Sequence, residues 1–125
     1  FLIALEMLES ARWTPWLRPG GAVLINRQRI APMTVTVGDA VYPPDETILA
    51  AVRKRTQDLT LVDALTIAKE LGDSRMTNTV VLGALSTRLD VEPETWLSVI
   101  ERRVPPKYAA LNRKAFAEGR RSVSG

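Results

Sequence analysis

Phe1-Leu2-Ile3-Ala4-Leu5 is an apolar run that leads straight into helical periodicity, and reading it as a buried strand decides the fold. Downstream, Leu5, Leu8, Ala11 and Trp16 recur at helical spacing while Glu6, Glu9 and Arg12 fall elsewhere. The pattern predicts a helix to about Leu17, stopped by Pro19-Gly20-Gly21. Open α/β sheets usually place a glycine-rich ligand loop after their first strand, and no G-x-G-x-x-G stands in this sequence. The chain is therefore expected to start in mid-fold, N-terminally incomplete, with the first βα units of such a domain ahead of Phe1.

A second apolar run, Ala22-Val23-Leu24-Ile25, follows that helix and suits a strand of a parallel sheet covered on both faces. Thr34-Val35-Thr36-Val37 alternates with period two and predicts a half-exposed edge strand. Pro43-Pro44-Asp45-Glu46 opens a helix that ends in Arg53-Lys54-Arg55, acids first and bases last, as the helix dipole favours. Leu59-Thr60-Leu61-Val62 is a further strand, and Asp63 is placed to cap a helix from Ala64 to Leu71 closed by Gly72. Beyond it no strand pattern remains. Three helical segments follow, roughly 75–89, 93–103 and 106–121, divided by Asp90 to Pro93 and by Pro105-Pro106. The expectation is one domain over residues 1–125, an α/β part over 1–72 and a helical part over 73–121. Its fold class is α/β, with a Rossmann-like, mostly parallel sheet.

Composition bounds the chemistry. The chain has 125 residues, 46% apolar and 25% charged, the balance of one globular unit rather than a disordered chain. It contains neither cysteine nor histidine, which removes disulfides, thiolate ligation of iron–sulfur clusters, and serine–histidine or cysteine–histidine catalysis from these residues. No metal site is expected. Apolar runs reach six residues at most, short of the ~20 of a membrane span, so a cytoplasmic chain without a membrane contact is expected. Net charge is +3 and the isoelectric point about 9.7. The basic last helix carries Lys107, Arg113, Lys114, Arg120 and Arg121, while its aromatic residues Tyr108 and Phe116 fall on its apolar side with Leu111 and Ala115, so nucleic acid is not an expected partner.

Three positions stand out as binding candidates. Asn26 and Arg27 follow a buried parallel strand, where open α/β sheets gather ligands and a guanidinium can hold phosphate or carboxylate. The structural reading is that polar residues must end any buried strand. Asn78, between Thr77 and Thr79, opens the apolar helix Val80-Val81-Leu82-Gly83-Ala84-Leu85, where free backbone N–H groups can meet an anion. The alternative is local capping. In that helix Gly83 and Ala84 permit close approach of a neighbour. Glu6 with Glu9, and Asp45 with Glu46, read as exposed acids or dipole partners, and no catalytic acid–base pair emerges. Trp13, Trp16 and Trp96 read as core or interface anchors.

The order of motifs resembles a known family. Ala4 to Arg12, Leu17-Arg18-Pro19-Gly20-Gly21, Ile25-Asn26-Arg27-Gln28, Tyr42-Pro43-Pro44-Asp45, Val62-Asp63-Ala64, Asn78 to Ala84 and Pro105-Pro106-Lys107 to Phe116 are similar to the gamma-type domain of 2-oxoacid:ferredoxin oxidoreductases, most of all to the beta subunits of the indolepyruvate branch. The resemblance implies part of a multi-subunit enzyme, not catalytic alone, that oxidatively decarboxylates a 2-oxoacid to an acyl-CoA. It implies thiamine diphosphate and iron–sulfur clusters on a partner subunit, electron delivery to ferredoxin, and coenzyme A near Asn26, Arg27 and Asn78. No cofactor is expected on this chain alone, and self-association or a partner is expected to cover its exposed apolar surface. The other reading is a nucleotide- or CoA-binding or assembly module with no part in oxidoreduction.

Overall fold

The computed structural model describes residues 1–38 and 40–124. The chain divides into two compact units, Phe1–Leu61 and Val62–Gly125. Its strands are β1 (Leu2–Ala4), β2 (Val23–Asn26) and β3 (Leu59–Val62), parallel and in the order β1-β2-β3. β1 and β2 pair with Leu2 opposite Val23, Ile3 opposite Leu24 and Ala4 opposite Ile25.

Every residue of β2 is buried, as expected of a wholly apolar strand at the centre of a covered parallel sheet. β1 departs from the expected buried strand: Ala4 is buried, but Ile3 is 41% exposed. The reason is its place at one end of the strand order, where it has a sheet neighbour on one side only.

In the first unit, α1 (Met7–Trp13) ends sooner than predicted, in a 3₁₀ turn over Thr14–Trp16 with Pro15 in its first positions. The α3 helix (Asp45–Arg53) carries Asp45 and Glu46 in its first turn and Arg53 in its last, as its sequence predicts. Met7, Leu17, Val23, Ile25, Ile48 and Val52 form the core between these elements and the sheet. Trp13 and Trp16 stand outside it, Trp16 being 82% exposed.

The predicted edge strand at Thr34–Val37 is instead a single helical turn, α2 (Met33–Thr36). Pro32 decides this, because its carbonyl accepts from the backbone N–H of both Val35 and Thr36 and from the Thr36 hydroxyl. The turn closes on Gly38 at φ 85°. None of α2 is buried, so its alternating pattern has no face to put into a core.

The second unit is helical after the end of β3: α4 (Ala64–Glu70), α5 (Thr77–Ser86), α6 (Pro93–Arg103) and α7 (Pro106–Arg121). Asp63 caps α4 by accepting from Thr66 N at 3.3 Å, and Gly72 follows at φ 93°. Helices α5 and α7 pack at the distance their glycines allow. A Cβ built on Gly83 would overlap the Phe116 carbonyl, and one on Gly119 would overlap the Val80 carbonyl. Leu97, Ile100 and Phe116 make the remaining core, with Trp96 beside Phe116 at a ring separation of 6.3 Å.

Candidate functional site

Because β1 and β2 are parallel and in register, the residues that follow them emerge side by side. Leu5 and Glu6 leave β1 next to Arg27, Gln28 and Arg29 leaving β2, and the two exits are stitched by Met7 N donating to Gln28 O at 2.9 Å. Asn26, only 1% exposed, completes the stitch: its Nδ2 donates to Leu5 O and to Gln28 Oε1, each at 3.2 Å. Its amide is engaged with backbone and neighbour.

Glu6 is the hub, and here the expectation of an exposed acid is overturned. Its residue is 7% exposed, and it caps α1 by accepting Glu9 N at 2.9 Å. Its other oxygen accepts Ile30 N at 3.1 Å and the Tyr42 hydroxyl. That hydroxyl in turn accepts Leu8 N at 3.0 Å. Burial, reinforced by the bond to Glu6, pushes the Tyr42 phenol up to about 12. Proximity in space explains the misreading, since Ile30 and Tyr42 reach Glu6 only once the connection between β2 and α3 folds back over α1.

The cationic part of the site lies alongside. The Arg29 guanidinium sits 4.7 Å from the Tyr42 ring centroid and donates to Pro43 O at 2.8 Å. Asp45, first residue of α3, receives Arg29 Nε at 3.3 Å and Arg27 Nη2 at 3.8 Å. Its Oδ1 is buried yet accepts no hydrogen bond, because the Arg29 approach is off-axis. Two half-exposed guanidiniums share the Asp45 carboxylate, and the buried Glu6 carboxylate beside Tyr42 balances the second charge, so what the strand ends offer an anion is the exposed guanidinium N–H groups that Asp45 does not occupy.

Of the sequence-predicted site residues, Asn26 and Arg27 fall in this cluster, Asn26 as its buried buckle and Arg27 as an exposed cation. Asn78 belongs to the second unit, exposed on the first turn of α5. Sequence reasoning missed Glu6, Arg29 and Tyr42 as site residues. The available signal was position: Glu6 stands two residues after β1, as Gln28 does after β2. Among the described residues no group of three or more acids could hold a metal ion, and no helix is long and apolar enough to cross a membrane.

Residues 1–122 match the sequence family described as pyruvate ferredoxin/flavodoxin oxidoreductase. The chain belongs to this family. Relatives of the pyruvate ferredoxin/flavodoxin oxidoreductase family include the indolepyruvate oxidoreductase subunit IorB of Pyrococcus horikoshii, 35% identical over 94% of this chain. The subunits of the same name from Archaeoglobus fulgidus and Thermococcus kodakarensis are 33% and 32% identical over 99% and 94% of it. The chain spans only 60–63% of the length of these relatives. Among solved structures, the gamma subunit of a keto/oxoacid ferredoxin oxidoreductase from Geobacter sulfurreducens superposes with a TM-score of 0.67 at 26% identity, covering 98% of this chain and 62% of that one. The resemblance read from motif order is thus borne out, and so is the α/β fold class.

Proposed function

We propose that this chain is part of a subunit of a 2-oxoacid:ferredoxin oxidoreductase, an enzyme that takes a 2-oxoacid, in the indolepyruvate or pyruvate class, to an acyl-CoA and passes the electrons to ferredoxin. The family match over residues 1–122 carries this reading. The relatives named as indolepyruvate oxidoreductase subunits and the structural neighbour named as a gamma subunit support it. Thiamine diphosphate and iron–sulfur clusters are assigned to a partner subunit. In support, these 125 residues contain no cysteine or histidine, so they offer none of the thiolate or imidazole ligands such clusters take. Ferredoxin meets the complex, and the chain has no catalytic group of its own.

In this reading Arg27 and Arg29 receive an anionic phosphate of coenzyme A and Asn26 holds the strand ends that present them, while Asn78, on the second unit, is a separate candidate contact. The half-exposed guanidinium groups beside Asp45 support one such anion contact. The test is anaerobic purification of the full protein with its partner subunit, followed by measurement of 2-oxoacid- and CoA-dependent ferredoxin reduction. Arg27→Ala with Arg29→Ala is expected to raise the KM for coenzyme A about tenfold or more with little change in the KM for the oxoacid. Unchanged coenzyme kinetics would remove the two arginines from the reading. Failure of the purified complex to consume any 2-oxoacid would remove the reading itself.

A further inference from the structure

The second unit holds a pocket of about 300 Å³, where the 3₁₀ turn Ser74–Met76, the first turn of α5 and the start of α7 come together. Met76, Val104 and the Tyr108 ring give it apolar lining, and Arg75, Thr79 and Asn112 give it polar groups. This size is at the lower end for small-molecule sites, and the mixed lining is of their kind.

Its charges are arranged for one anion. The Arg75 guanidinium lies 5.0 Å from the Tyr108 ring centroid and is gripped by Asp73 through Nε at 2.9 Å and Nη2 at 2.6 Å, and Nη2 also reaches the Tyr108 hydroxyl at 3.5 Å, which leaves Nη1 open. The grip fixes the guanidinium and holds the Asp73 carboxyl below its usual range. Lys107 brings its ammonium to 5.0 Å from the same ring and has no acidic partner among the described residues. With Asp73 balancing Arg75, one positive charge remains at the mouth.

Its polar groups leave donors and lone pairs open. Thr79 Oγ1 donates to Asn112 Oδ1 at 2.7 Å, and Asn112 Nδ2 donates to Tyr108 O at 3.0 Å. Asn112 is 4% exposed, and its second amide hydrogen meets no acceptor among the described residues. The Thr79 oxygen keeps its lone pairs.

We propose that this pocket binds a small organic monocarboxylate with an apolar or aromatic body. The carboxylate meets the Arg75 Nη1 that Asp73 leaves open and the Lys107 charge, the body lies on Tyr108, Met76 and Val104, and a polar substituent next to the carboxylate meets Thr79 and Asn112. A single uncompensated cation favours a monoanion over a phosphate ester, and the apolar lining favours a carboxylate with a body over a bare ion. The proposal does not depend on the strand-end arginines or on the oxidoreductase reading.

The test is nuclear magnetic resonance titration of the isotope-labelled full chain with phenylacetate, acetate, 2-phenylethanol and inorganic phosphate. Phenylacetate is expected to shift the Thr79, Tyr108 and Asn112 amides saturably, at least about tenfold more tightly than the other three. Lys107→Met, an exposed change that leaves the fold intact by circular dichroism, is expected to weaken it about tenfold, and Arg75→Lys to do so although the charge is kept. Equal binding of acetate, tighter binding of phosphate, saturable shifts elsewhere only, or no saturation within phenylacetate solubility would each overturn the proposal. None of these outcomes bears on coenzyme kinetics at Arg27 and Arg29.

Discussion

The Tyr42 hydroxyl donates to the Glu6 carboxylate while accepting from Leu8 N at 3.0 Å, so one phenol joins the connection before α3 to both sides of the first turn of α1. The link is tertiary, 36 residues apart in sequence, and it keeps Arg29 within 4.7 Å of the Tyr42 ring.

Glu6→Ala is expected to destabilise the chain by about 3 kcal/mol, because it leaves Ile30 N, Glu9 N and the Tyr42 hydroxyl without their acceptor. Tyr42→Phe alone should cost about 1 kcal/mol. Urea unfolding of both single variants and the double variant checks this. A coupling of about 1 kcal/mol or more is expected, and strict additivity would show the bond to be energetically idle.

Stability should fall as pH rises from about 10 to about 12. The folded state holds the Tyr42 phenol near 12 against 10.0 for a free one, so it binds the proton more tightly than the unfolded chain does. Its contribution is fully present below the unfolded value and is lost on rising through the folded one. Denaturant midpoints across this range, beside phenolate absorbance, are the measurement. Tyr42→Phe should flatten this part of the profile.

Gly119→Ala and Gly83→Ala should each destabilise by about 1–3 kcal/mol or more, since the added methyl meets a backbone carbonyl of the facing helix rather than a movable side chain. Ala117→Gly, on the exposed side of α7, serves as the control and should cost only about 1 kcal/mol of helix propensity. Thermal melts distinguish the two mechanisms by size.

Asp45→Asn removes the carboxylate that occupies both guanidiniums. If Arg27 and Arg29 receive an anion, this variant should bind coenzyme A several-fold more tightly at low salt and lose the gain as salt is raised. Calorimetric titration at two ionic strengths is the check. No gain over the unchanged chain would mean that the arginines serve only to brace α3.

The sequence by itself determined much of this protein. The apolar run Val23 to Ile25 specifies a strand covered on both faces, Asp63 and Gly72 bracket α4, and Pro93 and Pro106 start α6 and α7, because each is a local effect of hydrophobic period or backbone chemistry. The order of motifs carried the family. Gly83 also announced a close helix neighbour, although nothing in its own segment says that Phe116 and Gly119 supply it.

Only the tertiary structure decided the rest. Thr34 to Val37 has the alternation of a strand, but with no buried face to fill, the Pro32 carbonyl wins it for a helical turn. Glu6 has the sequence neighbourhood of a surface acid, and it becomes a buried hub because Ile30 N and the Tyr42 hydroxyl, far along the chain, are carried to it. Burial and hydrogen-bond partners belong to the folded chain, and no local pattern encodes a contact whose two halves lie dozens of residues apart.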